Sequence, residues 1–267
     1  MTSFLDLVRL EGRVALVTGA CGHLGQTVVR TLSELGATVI VVDLDSASCR
    51  DLSAQLTASG AVSGMALPGD ISDLEFWTTA PTSIVGAVGG LDIIVHCAAF
   101  VGTTRMDGWA VPFAEQTTEA WNAAMDVNIS SFFTMVRELQ PLLEVSGRAS
   151  VVSVSSIYGM VGPDMRLYEG LDMANPAAYA ASKGGLIQLT RYLATVLAPR
   201  IRVNTVSPGG LSRNQPEAFQ QRYIERTPLQ RMGTEEDLVG VIGYLASDLS
   251  SYVTGVNIPV DGGWTAW

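Results

Sequence analysis

The sequence has one lysine, Lys183; every other residue among its 16 basic ones is arginine. Cysteine occurs three times (Cys21, Cys49, Cys97) and histidine twice (His23, His96). An odd set of widely spaced thiols does not form a disulfide framework, and with two histidines it gives no metal-ligand spacing. A reducing cytoplasm and no bound metal are therefore expected. No apolar run reaches eighteen residues, so no membrane span is expected. The opening "MTSFLDLVRLEGR" mixes acidic and basic residues into its apolar stretch, unlike a signal peptide. Charged residues make up only 16% of the chain, with a formal net charge of −10 and no Lys/Arg cluster. That balance repels phosphate backbones and anionic lipid, which excludes nucleic acid and membrane surfaces as expected partners.

What remains is apolar: 48% of the 267 residues are hydrophobic, enough for one large domain over 1–267. "RVALVTG" (13–19) and "ATVIVVDLD" (37–45) are short β-rich runs separated by the helical stretch "TVVRTLSELG", which makes a βαβ unit. Five further runs follow: "AVSGMALPGD" (61–70), "LDIIVHCAA" (91–99), "ASVVSVSS" (149–156), "IRVNTVSPGG" (201–210) and "VNIPVDGG" (256–263). Between them lie helical patterns such as 118–143 and 235–248. The alternation predicts an α/β Rossmann fold: a doubly wound, seven-stranded parallel sheet with helices on both faces. The irregular stretch 158–176, "YGMVGPDMRLYEGLDMANP", reads as an inserted loop, and loops of that length are usually functional or disordered.

"TGACGHLG" sets Gly19, Gly22, His23, Leu24 and Gly25 between the first strand and its helix. Glycine there permits a tight turn and close approach of a pyrophosphate to the helix N-terminus. The second strand ends in Asp43. A carboxylate at that place accepts the ribose hydroxyls of NAD and repels the 2′-phosphate of NADP, so NAD is the expected cofactor. Asp70 and Ile71 follow the third strand, and Cys97 and Ala98 close the fourth, all on the carboxyl edge where open α/β folds bind ligands. Asp70 either hydrogen-bonds an adenine amino group or caps a helix beginning near Ser72. His96 is read as structural, a strand-end imidazole with a local hydrogen bond.

Tyr179 and Lys183 stand four apart in a predicted helix and so share one face. An ammonium beside a phenol stabilises the phenolate, and a compact ammonium can donate to ribose hydroxyls where a planar guanidinium fits badly. This explains why one lysine survives in a chain that otherwise uses arginine.

With "TGACGHLG", Asp43, "HCAA", Asn128 in "DVNIS", Ser156 in "VSVSSIYG", "YAASK", "SPGG" and "VDGG" in that order, the chain resembles the short-chain dehydrogenase/reductase family over nearly its whole length. The resemblance implies Tyr179 as general acid/base, Ser156 as hydrogen-bond partner of the reacting oxygen, Lys183 as the group that lowers the tyrosine pKa and holds the ribose, and Asn128 as the residue ordering a water. It also implies cofactor contacts at Pro208 and Gly209 and a homotetramer. Ser155 neighbours Ser156, which is preferred because it stands three before Gly159. Two departures are visible: His23 replaces a glycine of the compact members, and "HCAA" replaces the usual "NNAG". "GWAVPF" (108–113), the 158–176 loop, "NQPEAF" (214–219) and "VDGGWTAW" resemble more narrowly a subgroup linked to bacterial surface-sugar pathways, including flagellin modification and nonulosonic acids.

The sequence thus leads to an NAD-dependent oxidoreductase interconverting a secondary hydroxyl and a ketone on a small, sugar-like metabolite, with Arg166 and Tyr168 contacting the substrate. The alternatives are a 3-oxoacyl or small-alcohol reductase, whose acyl site the polar 158–176 loop would line poorly, and a catalytically silent dinucleotide-binding module.

Overall fold

A computed structural model describes residues 3–58, 64–102 and 104–267. Among them run seven strands: β1 (Val14–Thr18), β2 (Thr38–Val42), β3 (Met65–Ala66), β4 (Ile93–His96), β5 (Ala149–Val154), β6 (Ile201–Pro208) and β7 (Asn257–Val260). The helices are α1 (Phe4–Val8), α2 (His23–Glu34), α3 (Ser46–Ala58), α4 (Leu74–Val88), α5 (Thr118–Met125), α6 (Ser131–Ser146), α7 (Ala177–Val196), α8 (Glu217–Arg226) and α9 (Val239–Ala246). All strand pairs are parallel, in the order β3-β2-β1-β4-β5-β6-β7. The order reverses between β1 and β4, and that switch point opens a crevice at the strands' carboxyl ends.

The central strands are mostly apolar and buried because both faces of the sheet are covered. Val14 and Leu16 of β1 join Ile94, Trp77 of α4, Phe132 of α6 and Leu186 of α7 in one core. Ala15 and Val17 point the other way, to Val28 and Leu32 of α2, Cys49 of α3 and Ile242 of α9. Each fully buried Val, Leu or Ile contributes roughly 1.5–3 kcal/mol of transfer free energy. Among the described residues no helix is long and apolar enough to cross a membrane.

Three expectations are refined. The third strand is only two residues long, and residues 61–63 of the run expected for it lie outside the described residues. The helical pattern at 118–143 is broken by a π-helical turn, Asp126–Ser130. The 158–176 stretch is not structureless: it carries 3₁₀ turns at Ile157–Gly159 and Met165–Tyr168, and Arg222 of α8 donates to the carbonyls of Arg166, Leu167 and Glu169 (3.2, 3.3 and 2.7 Å). Those oxygens lie at or just past the end of the second turn, where a 3₁₀ helix leaves carbonyls unpaired and favours a cation.

Candidate active site

The glycine loop folds tightly over the end of β1. Gly19 has φ +63°, and a Cβ on it would lie 2.7 Å from the Ala98 backbone; one on Gly25 would lie 2.0 Å from the Gly19 carbonyl. Neither position admits a side chain. Gly22 is the N-cap of α2 and has no side chain to cap it, so the N–H groups of His23, Leu24 and Gly25 have no intrahelical acceptor. His23, where the compact pattern has glycine, takes the first helical position with its side chain exposed.

Half-buried Asp43 closes the other side of this loop. Its Oδ2 accepts the Cys21 N–H (2.9 Å) and its Oδ1 the Leu44 N–H (2.8 Å), leaving one lone pair on each oxygen for a ligand. No cation pairs with it among the described residues. The residues present fit a dinucleotide: an uncapped helix start for its phosphates and an unpaired carboxylate one strand over for its ribose.

Asp70 makes a turn rather than a helix cap, accepting from the N–H and Oγ of Ser72 (2.9 and 2.7 Å). The helix instead begins at Leu74 with Asp73 as its N-cap. Ile71 is buried and its carbonyl accepts the Trp77 indole (2.7 Å). Cys97 and Ala98 turn back onto Thr18, donating from their N–H groups to its carbonyl and Oγ1 (3.2 and 3.4 Å). His96 Nδ1 pairs with the same Thr18 Oγ1 at 2.9 Å, so the imidazole has the local hydrogen bond expected of it. Burial, then the Lys183 charge, pulls His96 down to about 3 and keeps the ring neutral. Burial pushes the Cys97 thiol up to about 12. Pro208 ends β6, and Gly209 donates to the Val260 carbonyl (3.0 Å).

The end of β5 and the start of α7 bring the remaining residues together. Ser155 and Ser156 part company: Ser155 Oγ donates to the Lys183 carbonyl (2.8 Å), whereas Ser156 Oγ accepts the Tyr158 N–H (3.2 Å) and acts on the Tyr179 phenol. This geometry favours Ser156 of the two. Lys183 is 2% exposed; its Nζ donates to the Val154 carbonyl (2.8 Å) and lies 5.8 Å from the Tyr179 ring centroid. Burial brings the ammonium down to about 8. The Tyr179 phenol is pushed up by burial, with the neighbouring Ser156 hydroxyl and the Arg213 charge opposing. Asn128, fully buried in the π turn, accepts the Phe100 N–H (2.6 Å) and donates to Ser182 Oγ (2.9 Å). A π turn sets its side chain off the regular helical register, and there it braces α7 against the segment after β4.

Arg166 and Tyr168 have different surroundings. Both line an open cleft of about 530 Å³ with Ala110, Pro112 and Asp172. Arg166 forms a two-pronged pair with Asp164 (2.8 and 2.7 Å) and its side chain is 80% exposed. Asp164 also accepts from Arg226 (2.6 Å), and the two guanidiniums hold its carboxyl down at about 2. Tyr168 is half-buried and shares a 3.0 Å hydrogen bond with Tyr158.

Sequence reasoning missed Tyr158, Arg213 and Arg222. Tyr158 could have been found two residues after Ser156. Arg222 and Arg226 stand four apart, on one face of α8. The segments singled out as unusual do converge: Phe219 lies 5.4 Å from Tyr168 and 6.1 Å from Tyr223, which stacks on Trp264 at 5.9 Å, while Ala110 and Pro112 line the cleft with the 158–176 segment.

A family model described as enoyl-(acyl carrier protein) reductase matches residues 19–265. The chain is 34% identical over 264 residues to the 3-oxoacyl-[acyl-carrier-protein] reductase FabG of Thermotoga maritima, covering 96% of this chain and 99% of the relative. It is 31% identical over 273 residues to a galactitol 2-dehydrogenase (L-tagatose-forming) of Cereibacter sphaeroides, covering 99% of each. A short chain dehydrogenase from Leptospira borgpetersenii, solved with bound NAD+, superposes with a TM-score of 0.82 at 33% identity, covering 99% of this chain and 96% of that one.

Proposed function

The chain belongs to the short-chain dehydrogenase/reductase family, nicotinamide-dependent oxidoreductases of CH–OH groups, and from that premise we propose that it interconverts a secondary hydroxyl and a ketone on a polar, sugar-like metabolite, using NAD. The observation that carries this reading is the meeting of Ser156, at the end of β5, with Tyr179 of α7 and Lys183 one turn along the same helix, its Nζ 5.8 Å from the Tyr179 ring centroid. A nicotinamide dinucleotide, when bound, supplies the hydride acceptor or donor that no side chain can. Everything else is assigned to this chain's residues.

Ser156 Oγ and the Tyr179 phenol together hold the substrate oxygen. In ketone reduction Tyr179 gives its proton to that oxygen, and in alcohol oxidation it takes one. Burial keeps the phenol protonated at neutral pH, which suits the acid role. In the oxidative direction the Lys183 ammonium favours the phenolate through its charge. Asn128 acts as a positioning residue through Ser182 of α7 and Phe100. Asp43 supports the choice of NAD over NADP; the family uses both. A cytoplasmic homotetramer completes the proposal, supported by Trp121 of α5 and Phe133 of α6, which are 41% and 43% exposed.

The similarity to FabG favours a second reading, reduction of a 3-oxoacyl thioester. One experiment separates them: NADH formation from a panel of polyols, sugars, sugar nucleotides and nonulosonic acids, run beside NADPH oxidation by acetoacetyl thioester. Turnover confined to the thioester would replace the first reading by the second. Cofactor binding without turnover of any substrate would favour the silent module.

A further inference from the structure

Tyr158 lies in the same turn as Ser156, and its backbone N–H donates to Ser156 Oγ at 3.2 Å. Its phenol reaches across the 158–176 segment to the Tyr168 phenol at 3.0 Å. Two phenols own two hydroxyl hydrogens, and their mutual bond uses one, so one hydrogen remains to be donated outward whichever way that bond points. Asn175 acts on the Tyr168 phenol, and its Oδ1 is buried with no partner among the described residues. The rings are held in place: Trp264 meets Tyr158 edge-on at 6.2 Å and 87°, and Phe219 packs on Tyr168 at 5.4 Å. Tyr168 lines the open cleft, and both phenols lie close enough to Tyr179 to act on it or be acted on by it electrostatically.

The chemistry of this pair is that of neutral donors and acceptors. Burial raises both phenols above their usual range, Tyr158 the more strongly, so neither carries charge near neutral pH. The nearby cations are already engaged: Arg166 and Arg226 with Asp164, and Arg213 with Glu235 at 2.8 Å. A fixed, uncharged donor–acceptor pair suits a hydroxyl better than a carboxylate.

We propose that Tyr158 and Tyr168 form a second hydrogen-bonding position beside the reacting carbon, which reads a hydroxyl on the neighbouring carbon and makes the substrate a vicinal diol or its α-hydroxyketone. The inference rests on the alcohol–ketone reading above. Tyr158 and Tyr168 are specificity-determining residues, and the proton transfer stays with Tyr179.

The test compares cyclohexanol, trans-cyclohexane-1,2-diol and cyclohexane-1,3-diol as substrates of the intact enzyme with NAD. The expected kcat/KM for the 1,2-diol exceeds that of the other two by about tenfold, the worth of one well-made hydrogen bond. Tyr158→Phe and Tyr168→Phe should each bring the ratio of 1,2-diol to cyclohexanol to within about threefold of unity. A clasp that merely holds the segment closed would slow all three alcohols alike and leave the ratio standing, which would overturn the proposal, as would equal preference for the 1,2- and 1,3-diols. If no alcohol is oxidised, the alcohol–ketone reading fails for these probes, and the pair is judged by binding. Indole fluorescence of the NAD-loaded enzyme, read through Trp264 beside Tyr158, should then report tighter binding of the 1,2-diol than of cyclohexanol, lost in Tyr158→Phe. Equal binding overturns the proposal.

Discussion

The Asp43 carboxylate accepts the backbone N–H of Cys21, in the middle of the glycine loop, at 2.9 Å. One side chain therefore both braces the loop and presents negative charge where the ribose of a dinucleotide would lie. NAD is expected to bind at least tenfold more tightly than NADP, a gap of about 1.4 kcal/mol. Asp43→Asn keeps an acceptor for Cys21 but loses the charge, so it should narrow that gap; Asp43→Ala loses both and should also weaken NAD. Titration of each cofactor into each variant checks this, and equal affinities in the unaltered enzyme would remove Asp43 from the role.

Lys183→Arg keeps the charge and changes its shape. The Nζ sits in a site 2% exposed, 2.8 Å from the Val154 carbonyl, and a planar guanidinium is bulkier and differently forked. Turnover should fall by about a hundredfold or more with the fold retained, and Tyr179→Phe should abolish nearly all of it. Circular dichroism confirms the fold. A Lys183→Arg enzyme with near-normal kcat would show that position 183 needs charge alone.

The same lysine should leave a mark on stability. Its pKa is about 8 in the folded protein against an ordinary 10.5, so between those values the unfolded chain binds the extra proton and stability rises with pH. The contribution is lowest below pH 8 and is recovered by about pH 10.5. Against Lys183→Met, which cannot titrate, the unaltered protein should gain about 3 kcal/mol across that window. Denaturant melts at several pH values measure the slope, and parallel curves would mean that burial does not perturb the ammonium.

Arg166 and Arg222 should differ. Arg166 is largely exposed, and Asp164 keeps Arg226 if Arg166 is removed, so Arg166→Ala is expected to change kcat/KM by less than about threefold. Arg222 donates to three carbonyls that shape the turn carrying Tyr168. Arg222→Ala should raise KM by about tenfold while leaving NAD affinity unchanged. A larger effect from Arg166 would support the expected direct substrate contact.

Much of the scaffold was written in local patterns. Strands buried on both faces leave continuous apolar runs, and the glycine loop, Asp43, Tyr179 and Lys183 sit at spacings that a sheet edge or one helical turn converts directly into proximity. What stayed hidden depends on contacts between distant segments. Asp164, two positions before Arg166, takes its guanidinium, but nothing local announces that Arg226, more than sixty positions after Asp164, shares that carboxylate, or that Arg222, more than fifty positions after Arg166, holds the carbonyls around it. Asp70 was ambiguous because an Asx turn and a helix cap use the same carboxylate chemistry, and only the start of α4 at Leu74 separates them. The π turn at Asp126–Ser130 was invisible because its apolar spacing still reads as helix.

The burial of Lys183 also governs how the protein meets reagents from outside. Its only side-chain amine lies beneath the residues proposed to handle the substrate oxygen, out of reach of solvent. An acylating reagent thus finds no lysine on the surface, and side-chain acylation must wait for the β5–α7 junction to open. The rate of that one modification becomes a direct clock of active-site opening, with no background from other lysines, and a bound dinucleotide should slow it.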